Sequence, residues 1–519
     1  ASTNTLYGVN SGGSITTGGY NTLLGYQAGY NLLTDNNVAI GWQALYKIGD
    51  AAGSGHGENN IAIGVGAMAG GDDTDGNNNG YKNIAIGTST LGGATRSSDG
   101  DAFTANHNIA IGHEAGKSVT NSVYNVIIGS QAGDAASIGN YHVLIGAFAG
   151  SAINAGDADG TTAIGYQAGQ VLTSGIGSTA VGYQALVTAT DNDYNTAVGA
   201  RALYSISGSS GTEGENNTAV GRYAGYNNTT GYSNVYVGGG AGYANTIGNY
   251  NNFIGQSAGE SLVDSTNSTY IGWYAAYNQT HGDNNVVVGH QALYGSSGKG
   301  DLSENVAIGY QSAYRAEAGY GITAVGSRAL RNITPSGSLS TAIGYFSGFN
   351  SSGSYNTFVG ADAGRGGTTS APFSSGEYNV AVGYQSLDAF TTGFRNVAVG
   401  KDTLGLLTTG QKNTAIGDEA FFTLGKGNYS VAVGAAAGYY ATGSYNTFMG
   451  YEAGKGGTSS APHSSGEYNT AIGYNALKGF TTGYQNVMIG PFTGDAITTG
   501  YNNTALGYAA LSAEDTGTR

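Results

Sequence analysis

A five-residue pattern constrains this chain more than any other feature. One clean copy is Asn413-Thr414-Ala415-Ile416-Gly417, and copies recur from Asn4-Thr5-Leu6-Tyr7-Gly8 to Asn503-Thr504-Ala505-Leu506-Gly507. There are 28 copies, and of the 27 steps between closing glycines 15 are 17 residues long, the rest 16 to 25. A fixed period in this range marks a solenoid or array, whose units are too small to bury an apolar face alone. The 519 residues would ordinarily suggest three or four domains. The repeat instead predicts one continuous all-β domain over 1–519: a parallel β-solenoid, or β-roll, of about 28 coils, mostly of 17 residues. With strands about 4.8 Å apart, such a stack is an elongated rod on the order of 130 Å, almost free of helix.

Side chains alternate across a strand, so positions two and four of the pattern share one face and position three takes the other. Position four carries Ile40, Val198, Ile308, Ile416 and Ile472, and position two is nearly always Thr, Val or Ile, which suit a pleated surface. This aliphatic row is the expected core ladder. Position three is mostly alanine, as at Ala39, with large residues at Tyr236, Phe253, Phe358 and Phe448, and it is never charged. An outward apolar row needs a cover, so these residues are expected to form an interface ladder against partner chains. The alternative is a flattened coil whose own second segment covers position three. The closing glycines, among them Gly41, Gly199, Gly309, Gly417 and Gly473, never vary. A positive φ or a very close approach of backbones explains such a position. Asn fills position one in 21 of the 28 copies, where its amide can bond the turn and stack in a ladder.

Composition removes several classes of function. The net charge is −15, and the 18 basic residues are scattered, which leaves no electrostatic footprint for nucleic acid. There is no cysteine, hence no disulfide framework or thiolate metal site. No apolar run approaches the 18 residues of a membrane span, and neither membrane insertion nor a cofactor is expected. Glycine at 93 residues, without a triplet period, serves turns rather than collagen.

The longer coils carry inserted loops near 50–60, 71–80, 93–106, 206–215, 366–376 and 456–466, where solenoids place variable surface. Residues 354–410 match 444–500 at an offset of 90 residues, five coils, a block duplication suited to an elongating fibre. Both ends look cut. Joining Arg519 of one copy to Ala1 of the next would give a step of 20 residues between closing glycines, within the range already used, so a head-to-tail filament is an open alternative to a fragment that has lost its flanking domains.

No nucleophile with its base, paired carboxylate or phosphate loop stands out, and no enzyme is expected. The seven histidines sit mostly in turns or inserts without ligand spacing and are expected at the surface. The acidic stretches 72–77 and 157–160 lack the frame of a calcium loop. An ice-binding face needs a regular threonine array, whereas these threonines alternate irregularly with valine and isoleucine and are expected on the core side. Aromatics follow the closing glycine in 11 copies, from Tyr26 and Trp42 to Tyr508. They are expected to stack along the coils, and a host surface glycan is the candidate ligand for their exposed edges.

The pattern N-[TV]-A-[IV]-G followed by xxA, as at 37–44 and 413–420, resembles the head repeats of trimeric autotransporter adhesins and the repeat shafts of bacteriophage tail fibres. The resemblance covers essentially the whole chain. It implies a homotrimeric β-roll, located outside the cell, on a cell surface or on a virion, whose task is structural support and attachment. Its partners are then copies of itself, as a homotrimer or a head-to-tail filament. A solenoid enzyme that degrades polysaccharide is the competing class.

Overall fold

The computed structural model describes residues 3–48, 57–70, 78–92, 103–135, 139–154, 159–208, 211–295, 301–317, 319–334, 338–457, 463–513 and 515–517. The chain forms two compact units, Ala1–Ser265 and Thr266–Arg519. Each is a parallel β-solenoid. The first stacks 14 three-residue strands from Thr5–Tyr7 to Asn252–Ile254, and the second stacks 14 from Thr269–Ile271 to Thr504–Leu506. The described residues contain no helix.

Every copy of the pattern contributes one strand, and within each unit neighbours pair in the same register. Val38, Ala39 and Ile40 lie beside Ile61, Ala62 and Ile63 although 23 residues separate them. Thr414, Ala415 and Ile416 lie beside Val431, Ala432 and Val433 after an ordinary 17-residue step. Extra residues between copies therefore do not shift the ladder, as expected where a one-residue slip would turn every side chain to the wrong face. The predicted inserts fall partly on residues 49–56, 71–77, 93–102, 209–210 and 458–462, outside the described residues.

The alternation is as expected, but the two faces are exchanged. Ala39, Tyr236, Phe253, Phe358 and Phe448, expected to meet partner chains, are fully buried inside their own coils. Ile40, Val198 and Ile472, expected in the core, are only half-buried, and Ile308 and Ile416 are 37 and 41 % exposed. The physical reason is the return of the chain after each closing glycine, which lays a second segment over position three. Its alanine three residues past the glycine, as at Ala44, Ala67 and Ala420, is fully buried against the position-three row. The core is thus two small-residue ladders facing each other, and nothing in the coil remains to cover positions two and four.

This second segment is also knitted from coil to coil. Gln43 N–H donates to Tyr26 O at 3.0 Å and Leu45 N–H to Ala67 O at 3.0 Å. The closing glycine makes the reversal possible. Gly417 has φ +135°, and a Cβ there would lie 2.5 Å from Gly434 O in the next coil. Both parts of the expectation for this position, the positive φ and the close approach, therefore hold.

Candidate functional site

Inside the turn, position one forms a hydrogen-bonded ladder. Asn413 N–H donates to Asn396 Oδ1 at 3.0 Å, and Ser430 N–H donates in turn to Asn413 Oδ1 at 3.0 Å. Asn413 Nδ2 also donates to the turn carbonyl of Gly427 at 2.8 Å. These amides are fully buried, so each satisfied bond contributes about 1 kcal/mol, and an orphaned one would cost about 1–3 kcal/mol. The ladder is structural rather than reactive.

One rung corrects the expectation of surface histidines. His142 occupies position one and is fully buried, its N–H donating to Asn125 Oδ1 at 2.8 Å while its Nδ1 accepts from Thr161 N–H at 3.2 Å. Burial drives its pKa down to about 4, against the opposing pull of the Asp159 carboxylate. The folded state therefore takes up the proton later than the unfolded chain. The rung's contribution is intact above pH 6.5 and is lost as pH falls towards 4.

Outside, positions two and four line one face of the sheet in each unit. In all 28 strands these two positions hold no charged residue. Val220, Ile254, Val286, Ile308, Ile343 and Ile416 are among the exposed large side chains along it. The threonines of position two share this face, where they are half-buried or exposed and not in the core, and only their irregular order now argues against a regular threonine array.

The predicted aromatic row after the closing glycine is exposed along one edge, and two pairs of its rings on adjacent coils stack. Tyr166 and Tyr183 lie 5.7 Å apart at 13°, and Tyr451 and Tyr474 lie 5.4 Å apart at 14°. A second row, five residues past the glycine, escaped the sequence reading. In the first unit it runs Tyr204, Tyr226, Tyr243 with spacings of 5.0 and 5.1 Å. In the second it runs Tyr277, Tyr294, Tyr314 and then Arg331, whose guanidinium lies 4.9 Å from the Tyr314 ring centre. Its signal was a Tyr at a constant offset from the glycine.

Three shallow clefts lie between coils. Two are equivalent members of the duplicated blocks: one of about 290 Å³ beside Glu377, Tyr378, Phe394 and Arg395, the other of about 400 Å³ beside Glu467, Tyr468, Tyr484 and Gln485. The third, of about 440 Å³ in the first unit, lies over Gly239 and Gly240 between Arg222 and Gln256. Away from these clefts, the fold brings Asp362, Asp388 and Asp402 of three successive coils near one another. Burial, then the charges of Asp402 and Asp362, pushes Asp388 up to about 6, partly offset by its own backbone bond and Arg365. This group lines none of these three clefts. Among the described residues no three His, Asp or Glu side chains come together as a metal site, and no helix is long and apolar enough to cross a membrane.

No protein-family model matches this chain, and none of the curated proteins is significantly similar to it.

Proposed function

We propose that this chain is a non-enzymatic structural protein, the repeat shaft of an extracellular fibre such as a phage tail fibre or surface adhesin, and that it assembles with two further copies of itself. The observation that carries this reading is the uncharged outward face of positions two and four. In each unit 14 strands about 4.8 Å apart, each showing two side chains over about 7 Å, give a face on the order of 450 Å². Threonine fills position two in half of the strands, and the apolar row of position four runs unbroken beside it, an uncharged patch of the few-hundred-Å² size that often serves an interaction. The interface thus moves from position three, where the sequence placed it, to the opposite face, and the proposal of self-assembly stands on the new one. Regular coils, spaced clefts and aromatic rows suit attachment, because they repeat the same surface along the stack.

The test is mass in solution. Light scattering is expected to give three times the chain's 52.2 kDa. Glutamate at Val181, Val198 and Val220 together is expected to return one chain with unchanged β-sheet circular dichroism. A monomer of the unaltered protein at all concentrations overturns the reading, and so does release of sugar from host polysaccharide.

A further inference from the structure

Along most of the chain the two residues after the closing glycine put side chains on the surface, Tyr166-Gln167 and Tyr183-Gln184 being typical. The coil that closes at Gly238 has Gly239-Gly240, and no other coil has glycine at both places. The backbone is nonetheless held as elsewhere: Gly240 N–H donates to Arg222 O at 3.0 Å, and Ser257 N–H to Gly239 O at 2.9 Å. What is missing is side chain. A Cβ on Gly239 would meet only Arg222 O, at 3.9 Å, and a Cβ on Gly240 nothing nearer than Ser257 Oγ at 3.5 Å, with Glu260 Oε2 at 3.6 Å. The result is a slot of about 440 Å³ with a fixed floor.

Its walls are one coil away on either side, about 9.6 Å apart at the backbone. Between them there is room for one ring, the place a tyrosine takes where the row is complete. On one wall the Arg222 guanidinium lies 4.7 Å from the centre of the Tyr223 ring. Tyr223 is fixed by edge contacts to Tyr226 at 5.3 Å and Tyr243 at 6.2 Å. On the other wall stand Gln256 and Ser257, with Glu260 at the rim. Neither Arg222 nor Glu260 has an ion-pair partner among the described residues.

The slot therefore offers a flat cation–aromatic wall, strong donors on Arg222 and Gln256, and strong acceptors on Glu260 and Gln256. Its single positive and single negative charge cancel. An anionic ring would face Glu260, and a plain aromatic ring would cover both charges without bonding either. A neutral ring with an apolar face and hydroxyl groups around its edge meets every wall. We propose that this slot holds one neutral pyranose residue of a surface polysaccharide, its ring against Arg222 and Tyr223 and its hydroxyls on Glu260 and Gln256. The proposal rests on the attachment reading above and names where attachment occurs.

Saturation-transfer NMR on the full chain with methyl glucoside, methyl galactoside and N-acetylglucosamine, each at millimolar concentration, tests it. At least one sugar is expected to receive saturation. Gly239→Tyr with Gly240→Gln restores the residues of ordinary coils and should keep the fold. Gly240 has φ +69°, close to the +56° at which Gln167 sits. That filled variant is expected to abolish the transfer, and Glu260→Gln to weaken binding about tenfold through loss of a charge-assisted hydrogen bond. No transfer from any of the sugars, or equal transfer to the filled variant, overturns the proposal. A loss of assembled mass in the filled variant overturns it too, since the occupant is then a side chain of another copy. Light scattering on the unaltered protein decides the attachment reading separately, so the two can fail independently.

Discussion

The blocks 354–410 and 444–500 share one backbone plan and differ in what they carry on it. Their inner rings superpose by number: Phe358 lies 5.7 Å from Phe390, and Phe448 lies 5.6 Å from Phe480. Their outer charges do not. In the second block Glu452 is clamped by Lys455 at 2.6 Å and Lys478 at 2.5 Å. Burial opposes its charge, but the bonds from the two lysines win and lower its pKa. In the first block the counterparts are Asp362, Arg365 and Asp388. Asp362 keeps its cation, Arg365 at 3.4 Å, while an acid stands where the second block has a lysine. The same coil thus accepts opposite charges on its surface because the ladders and the core bear the fold.

The core difference between the blocks is more instructive still. Ala398 and Leu404 in the first become Met488 and Gly494 in the second. A Cβ on Gly494 would lie 2.6 Å from Met488 Sδ, so in this coil the methionine at position three takes the space that the leucine four residues past the closing glycine fills beside Ala398. Volume is exchanged across the coil and held constant, as close packing requires.

The largest expected effect ignores this difference. Gly383→Ala and Gly473→Ala occupy equivalent places, with φ +132° and +136° and next-coil carbonyl oxygens 2.4 and 2.6 Å from the added carbon. Each should cost more than about 3 kcal/mol, equally in both blocks, as measured by thermal unfolding. A variant that melts like the parent would remove the glycine ladder from the account.

Next in size is the volume exchange. Met488→Ala leaves a cavity and Gly494→Leu overfills the coil, and each alone should cost about 2–3 kcal/mol. Together they recreate the Ala398–Leu404 pair and should recover most of the loss. Leucine is tolerated at that backbone, since Leu404 has φ +51° and Gly494 φ +60°. Additive losses in the double variant would show that the two sites do not share one space.

The smallest effect is the charge exchange. Lys478→Asp should weaken the second block by about 1 kcal/mol or less, as its ammonium is partly exposed, and Asp388→Lys should strengthen the first by a similar amount. The pH responses should oppose each other. Asp388 titrates near 6 when folded and at its ordinary lower value when unfolded, so the first block loses stability as pH rises through that window. Glu452 has a lowered folded pKa, so the second loses it as pH falls below the ordinary carboxylate value. Region-resolved hydrogen exchange reads the two blocks separately. Asp388→Asn should flatten the first profile, and an unchanged profile would remove Asp388 from the explanation.

The strands, their register and the unvarying glycines were legible in Asn413-Thr414-Ala415-Ile416-Gly417 because period and alternation are local. Which face is inside was not. Aliphatic Ile416 outranks Ala415 in hydrophobicity, and the outcome depends on the chain's own second segment, with Ala420 fully buried beneath it. The decisive clue was present as a covariation inside the chain: Tyr236, Phe253, Phe358, Phe448 and Met488 all sit against glycines of that segment. His142 went unrecognised as a rung because its position in the repeat, and not its residue type, determines its burial. The slot over Gly239 was invisible for the opposite reason, since absent side chains carry no motif.

The exchange of faces is the central claim, and the lack of native cysteine makes it directly measurable. Ala163 is fully buried beside a coil with space to spare, a Cβ on Gly169 finding nothing nearer than 3.7 Å, while the adjacent Ile164 points outward. In dissociated protein, Ile164→Cys should react with a maleimide close to the rate of the unfolded chain, and Ala163→Cys on the order of a hundredfold or more slower. Equal rates, or faster reaction at position 163, would contradict it.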